Sequence, residues 1–313
     1  MKIILLKYIF AIAIFIMLYG CYKDNYENNS NDKHLTLFSF LTTDSIFSVH
    51  LSKSVDYYSV DDFERVYDGV IMIEKNGEKV DSFDYDFRYM WDKRKNIKIS
   101  SLDNFKITAS DSKGKIVTGT TVIPQKVPIS RIDTSRVTIY SSGFQRKYFE
   151  CKILFQDPPD EDNYYQLVVT MDEWTKTESS NLHSFQHLDF HKTDSVFFIK
   201  DQSGSVLSGI DFRGTFSDFR INGLNYPLKI RIPAYYFDNV ASNQKKCINF
   251  ILLSLTSNYF NYFRCRVIAD YNYDLPVIDP IKISGNVDGG LGLIGGIAVT
   301  CDSLILKGKE FSD

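Results

Sequence analysis

Three of the five histidines, His183, His187 and His191, recur at intervals of four. On a helix or a strand that spacing sets them along one face with Asp189 among them, and imidazoles so placed can hold a divalent cation. Their surroundings, TKTESSNLHSFQHLDFHKTD, are polar and read as a loop. An unliganded surface is therefore expected, and the trio stands only as a weak metal candidate. Gly290, Gly292 and Gly295 spell the Gly-x-Gly-x-x-Gly order that admits a dinucleotide pyrophosphate to a helix N-terminus. That chemistry needs a helix to follow, whereas Ile297-Ala298-Val299-Thr300 is β-prone and only 18 residues remain after Gly295. A tight glycine loop packed on another strand or on a partner is expected instead, so Gly289, Gly290 and Gly292 are candidate contact residues. Asp157, Asp160, Glu161 and Asp162 crowd one turn without the alternating spacing and central glycine of a calcium loop. A solvated turn fits them better. No nucleophile elbow, HExxH pair or phosphate-binding loop is present. No catalytic residue is assigned and no cofactor is expected.

A run of alternating aromatics is the remaining binding candidate. Phe83, Tyr85, Phe87, Tyr89 and Trp91 alternate with Asp84, Asp86, Arg88 and Met90. On a strand, all five rings share one face. Buried, they are core; exposed, they form a platform for stacking on sugar rings or packing on a partner, with Tyr85, Tyr89 and Trp91 as contacts.

These residues must be held by strands. The chain carries 20 Tyr and 24 Phe with many β-branched residues, and helix-periodic segments are nearly absent, an all-β composition of sandwich type. From about His34 to residue 127, strands are expected at Leu35–Leu41, Ile46–Leu51, Val70–Glu74, Phe105–Ala109 and Ile116–Ile123. Asn76-Gly77 marks a hairpin, and Ser112-Lys113-Gly114 another. Together they read as an immunoglobulin- or transthyretin-like β-sandwich. Residues 128–313 read as a larger antiparallel β-domain. There Val137–Ser141, Tyr148–Phe155 and Tyr164–Met171 form an antiparallel run around the double-proline turn. Further strands are expected at Ser195–Lys200, Leu228–Ile232, Ile248–Leu255 and Ile297–Leu306. Tyr259, Tyr262, Phe263 and Arg266 have helical spacing behind a capping Ser257, which predicts one helix over Ser257–Asp270. Cys151 and Cys301 share parity with apolar neighbours and read as core. With Cys247 and Cys265 the count permits disulfides, but unpaired thiols are favoured over a bridge.

The N-terminus gives an address. After Lys2 and Lys7, Tyr8–Tyr19 is an uncharged apolar run, shorter than the ~20 residues a spanning helix needs. Leu18-Tyr19-Gly20-Cys21 closes it in the order read by the lipoprotein signal peptidase, which makes residues 1–20 a signal peptide and Cys21 the lipidation site. The tyrosine at the second position departs from the usual small residue. Residues 21–33 are a polar tether that cannot fold by burial, and Cys21-Tyr22-Lys23-Asp24 resembles the short signal that sends Bacteroidota lipoproteins to the cell surface. Formal charge is −3 over the whole chain and −5 without the two lysines of residues 1–20. No basic stripe appears, and nucleic acid is excluded as a partner.

Several motifs in one order carry a family resemblance: Asp157-Pro158-Pro159 with Asn163-Tyr164-Tyr165, then Phe216-Ser217-Asp218, Tyr259 and Tyr262, and the run Asn286–Gly296. The chain resembles the Bacteroidota outer-membrane lipoproteins grouped as domain of unknown function 4249, with Ile294 where the family usually has Phe. Members are encoded beside TonB-dependent transporters. The resemblance thus implies an outer membrane location through a lipid on Cys21, and a non-enzymatic role as accessory or ligand-binding partner of such a transporter. It brings no catalytic residues. An adhesin or structural surface protein is the alternative, and a hydrolase of exported glycans or peptides is the third reading.

Overall fold

Strand-forming alternation is plainest at the start of the folded body. Leu35, Leu37 and Leu41 point inward and are buried, while Thr36, Phe38, Phe40 and Thr42 sit half-buried on the other face. The computed structural model describes residues 33–55, 59–86, 88, 91–141, 143–178, 180–198, 210–238, 240–272 and 283–311. Residues 1–32, with the expected signal peptide, Cys21 and nearly all of the expected tether, lie outside the described residues. His34–Asp313 is one compact unit.

In chain order the strands are β1 (Leu35–Thr42), β2 (Phe47–Lys53), β3 (Glu64–Arg65), β4 (Val70–Lys75), β5 (Glu78–Asp84) and β6 (Asp92–Arg94). Next come β7 (Asn104–Ser110), β8 (Ile116–Val122), β9 (Ile129–Ser141), β10 (Phe144–Gln156), β11 (Tyr164–Lys176) and β12 (Asn181–His187). The series closes with β13 (His191–Lys192), β14 (Thr215–Ser217), β15 (Asn225–Pro233), β16 (Gln244–Leu255), β17 (Val287–Asp288) and β18 (Leu291–Lys307). One α-helix, α1, spans Ser257–Asn272. The fold is all-β, with a single α-helix among the described residues. Among the described residues, no helix is long and apolar enough to cross a membrane.

A long sheet in the order β12-β11-β16-β18-β1-β2-β3 runs through the whole body, with β14 on β11 and β6 on β2. Two smaller sheets, β13-β15-β10-β9 and β17-β8-β7-β4-β5, complete it. Parity along β18 fixes their placement. Ile294 belongs to the core with β4, β7 and β8, and Leu304 and Leu306 to the core with β10 and β15. Even positions of one strand face one side, so both small sheets lie on the same face of the long sheet, and α1 lies on the other.

Two cores are present, one built by Leu35–Ile123 with Ile294 and one by Val127–Leu252, and Val127 puts the second slightly ahead of the expected 127/128 boundary. The long sheet crosses it. β18 pairs in parallel with β1, so the two segments share a sheet as well as a chain. The run expected from Val137 to Met171 divides differently from its reading. β9 and β10 form a hairpin, but β10 pairs next with β15 and β11 with β16. The double-proline turn therefore passes the chain from one sheet to the facing one, as Pro158 and Pro159 offer no N–H to a ladder. Ser195–Phe197 is a 3-10 turn, not a strand, because the Asp194 carboxylate accepts the Val196 N–H and closes the chain on itself. The turn at Asn76-Gly77 has both residues at positive φ, as a tight two-residue hairpin requires.

The four cysteines of the body are unpaired: Cys151 is buried, Cys247 and Cys265 are half-buried, and Cys301 is exposed. Parity places Cys301 with Ile297 and Val299, but the core reading fails for lack of cover. The cluster of Tyr259 and Phe260 on α1 reaches Ile297 and Val299 and goes no further along β18.

Candidate functional site

Two residues of the family-type motifs, Asn163 and Tyr164, line one groove, and others hold the backbone beside it. Asp157 opens the double-proline turn and is wholly buried. Its Oδ1 accepts the Tyr165 hydroxyl at 2.6 Å and its Oδ2 accepts the Gly223 N–H at 2.9 Å. Burial raises its pKa above the usual carboxylate range, partly offset by those two donors. Desolvation and the bond to Asp157 also raise the Tyr165 hydroxyl. Two residues before Tyr165, the Asn163 N–H donates to Asp218 Oδ2 at 2.8 Å, and its side-chain amide donates to the Pro158 carbonyl at 3.1 Å. Between them Tyr164 packs at a tilt on Phe260 of α1, ring centres 4.7 Å apart. Phe216 fills the space behind, 5.3 Å from the Tyr165 ring and 6.4 Å from Phe155.

The glycine run fixes the opposite wall. Asn286 donates from its side-chain amide to the carbonyls of Thr120 and Ile294, both at 2.9 Å, and accepts the Ile294 N–H at 2.8 Å. One side chain thereby clasps β8 of the small sheet to β18 of the long one. Gly292, at φ +125°, lies against Leu37, where a Cβ would stand 1.9 Å from the carbonyl oxygen. Gly290 is pressed equally closely on Leu35. Two backbones meet there with no room for a side chain, which is why the glycines are needed. These glycines contact strands of their own chain, and the following residues extend as β18, so the dinucleotide order has no helix N-terminus to serve.

Between these walls lies an open cavity of about 660 Å³. Asn104, Lys106, Thr120 and Val122 of the small sheet line one side, Glu161, Asp162 and Tyr164 the other. Thr256, Ser257 and Asn258 at the start of α1 close the end. The helix begins at Ser257 itself, so the cap position falls one residue earlier, on Thr256. The Thr256 carbonyl accepts the Phe260 N–H at 2.9 Å, and its hydroxyl accepts the Gly296 N–H at 3.2 Å. Lys106 is paired with Glu74 at 3.2 Å, which leaves Glu161 and Asp162 to make the far lip acidic. Desolvation, with Asp162 and Asp218 nearby, raises the Tyr164 hydroxyl. The groove offers amides, hydroxyls, carboxylates and the edge of one aromatic ring. That set can bind a polar ligand by hydrogen bonds.

The other sequence candidates lie elsewhere. β5 ends at Asp84, and Asp86 turns the chain by accepting the Arg88 N–H at 3.1 Å, so the aromatics do not share one strand face. Phe83 lies under the Arg94 guanidinium at 3.4 Å. Tyr85, 5% exposed, is part of the N-terminal core and cannot meet a ligand. Trp91 packs at 5.7 Å on Phe40 and 5.6 Å on His50; Phe87 and Tyr89 lie outside the described residues. The histidines separate as well. His183 and His187 share β12, while His191 enters the other sheet on β13 and sits 4.9 Å from the Tyr148 ring. His183 is held by Asp172 at 2.8 Å and by Trp174, stacked at 5.0 Å. Among the described residues no three His, Cys, Asp or Glu side chains gather as a metal ion requires. The groove itself was not legible in the sequence, since its lining is drawn from segments between Glu74 and Asn258.

Residues 23–302 match the family described as domain of unknown function (DUF4249). No curated protein matches the chain. Because that match spans nearly the entire folded body and every motif in or beside the groove, the chain belongs to the DUF4249 family.

Proposed function

We propose that this protein is a lipid-anchored, surface-exposed lipoprotein of the outer membrane. It is non-enzymatic and holds a ligand or partner segment in the groove as an accessory of a TonB-dependent transporter. One observation carries the reading: Asn163 and Tyr164 of the family's motifs line one open groove, and Asp157, Asp218 and Asn286 hold backbone in place beside it. Their buried, fully bonded carboxylates are arranged to fix loops and are poorly placed to move protons to a substrate. The Leu18–Cys21 motif and the polar stretch to Lys33 support an anchor followed by a polar spacer.

The test has two arms. Cells fed an alkyne fatty acid should label the wild type and not Cys21→Ser, and protease added to intact cells should digest the labelled protein. Affinity purification from detergent-solubilised outer membrane should recover a transporter, and reversing the lip with Glu161→Arg and Asp162→Arg should lose it. Equal labelling of Cys21→Ser would sink the anchor. Recovery of no transporter, or undiminished recovery with the reversed lip, would sink the accessory role.

A further inference from the structure

The β9–β10 hairpin continues past the C-terminal core as a bare two-stranded arm. The core takes Ile129, Ile132, Phe149 and Cys151 from its base. Beyond Tyr148, where β15 stops pairing, Phe144–Lys147 are exposed on both faces, opposite the exposed Thr138 and Tyr140 and the half-buried Ile139. A two-stranded ribbon exposed at its tip on both faces gains little from burial, so its length and decoration call for another explanation. Its tip carries two of the most exposed aromatics of the body, Tyr140 at 77% and Phe144 at 70%. From Thr134 to Phe149 there is no acidic residue, while Arg136, Arg146 and Lys147 are present.

The register shows how these groups are layered. Phe144 pairs with Ser141, Gln145 with Tyr140, Arg146 with Ile139 and Lys147 with Thr138. Directly opposed residues share a face. One face therefore presents Phe144 at the tip with Arg146 and Ile139 behind it, and the other presents Tyr140 with Lys147 and Thr138 behind. On each face the cation lies two residues back from the aromatic, ~7 Å at the rise of a strand. Arg136 is already engaged, bound to Asp238 at 2.7 Å and lying over Phe149 at 4.9 Å.

We propose that the tip of the β9–β10 arm docks on an anionic lipid surface, with Tyr140 and Phe144 in the interfacial layer and Arg146 and Lys147 at the phosphates. Aromatic rings settle at the boundary of headgroups and acyl chains, ~5–10 Å deep for an interfacial element, and cations are drawn to anionic headgroups. The ~7 Å offset matches that depth. The two-sided pattern decides between a membrane and a protein partner. A protein or a second copy would cover one face of a ribbon, whereas a lipid interface surrounds the tip and asks the same order of both faces.

The body from His34 onward contains both cores and every described strand, so it is the protein to test, and binding there is independent of any lipid on Cys21. In flotation with phosphatidylethanolamine vesicles containing phosphatidylglycerol, the body should bind, and binding should fall as salt rises. Neutral phosphatidylcholine vesicles should bind it weakly. Arg146→Glu with Lys147→Glu, and separately Tyr140→Ser with Phe144→Ser, should each weaken binding by roughly tenfold or more. In a body with Tyr140→Trp as its sole tryptophan (Trp91→Phe and Trp174→Phe), emission should shift to the blue on the anionic vesicles. Absence of flotation, flotation unchanged in both double variants, or a tip tryptophan that stays water-exposed on bound vesicles would overturn the proposal. So would a dimer in light scattering that the Tyr140→Ser, Phe144→Ser variant abolishes, since the tip would then serve a second copy.

Discussion

The two cores hang from one sheet yet bury acid in opposite ways. In the N-terminal core, Asp111 is paired with Lys53 at 3.1 Å and Asp103 with Lys75 at 2.9 Å. Burial opposes ionisation of both, but the lysines together with Asn76 and the N–H groups of Ser100, Lys113 and Lys115 outweigh it and lower both pKa values. In the C-terminal core Asp157 has no cation: a tyrosine hydroxyl and one N–H are its partners, and burial wins. The difference teaches where each half spends its polar groups. The lysine-paired acids organise hairpin ends, where a cation can reach them from solvent. Asp157 lies at the sheet-to-sheet crossing, where only uncharged donors fit.

The shared seam is the most severe way to break this comparison. Gly292→Val sets a branched side chain at φ +125° against the Leu37 backbone. A loss above about 4 kcal/mol is expected, enough to prevent folding of both halves together. Trp91 reports on the N-terminal half and Trp174 on the C-terminal half, so single-tryptophan forms show whether the halves unfold separately. If Gly292→Val leaves either transition intact, the seam is not what couples them.

Within the halves, Lys53→Met should come next, costing about 3 kcal/mol by leaving Asp111 buried without its cation. The cost should appear in the Trp91 transition in urea. Tyr165→Phe is expected to cost about 1–3 kcal/mol and to appear in the Trp174 transition, as Asp157 loses its hydroxyl donor. The halves should also answer pH with opposite signs. Asp103 and Asp111 titrate lower folded than unfolded, so the stability they contribute is present above pH ~4 and is lost as pH falls through their lowered values. Asp157 titrates higher folded, so its contribution is full below pH ~4 and fades as pH rises through its raised value. Urea midpoints of the two single-tryptophan forms at a series of acid pH values check this. Parallel curves would show that the carboxyls do not differ as described.

The gentlest probe is thiol reactivity. Cys301 is exposed and should react first with a disulfide reagent, although burial and nearby Cys247 and Asp302 raise its pKa. Cys151 is buried and pushed up to about 12, so it should stay silent until the C-terminal core opens. A Cys151 that reacts in the native state would mean that this core breathes more than its packing implies.

Much of the fold could be read directly from the chain. Alternation in LTLFSFLT, the Asn76-Gly77 turn and the spacing of Tyr259, Tyr262 and Phe263 each set a local element, because strand, turn and helix are decided by neighbours in sequence. Features that depend on distant partners were misread. Tyr85 and Trp91 share parity but not a face, since Asp86 turns the chain between them. Cys301 has core parity without cover, as α1 ends its contact at Val299. The histidines keep their interval and part company at the passage from β12 to β13.

By itself, then, the sequence determined the order Leu18-Tyr19-Gly20-Cys21, the all-β class, the helix that starts at Ser257 and the family. Those follow from composition, period and short motifs, which need no knowledge of what lies across the molecule. Only the tertiary structure decided that one sheet runs through both halves, that β18 returns in parallel beside β1, and that Asn163 lines one groove with Asp157, Asp218 and Asn286 beside it. Those contacts join residues up to about 250 positions apart, and no local pattern records which distant strand a given strand will meet.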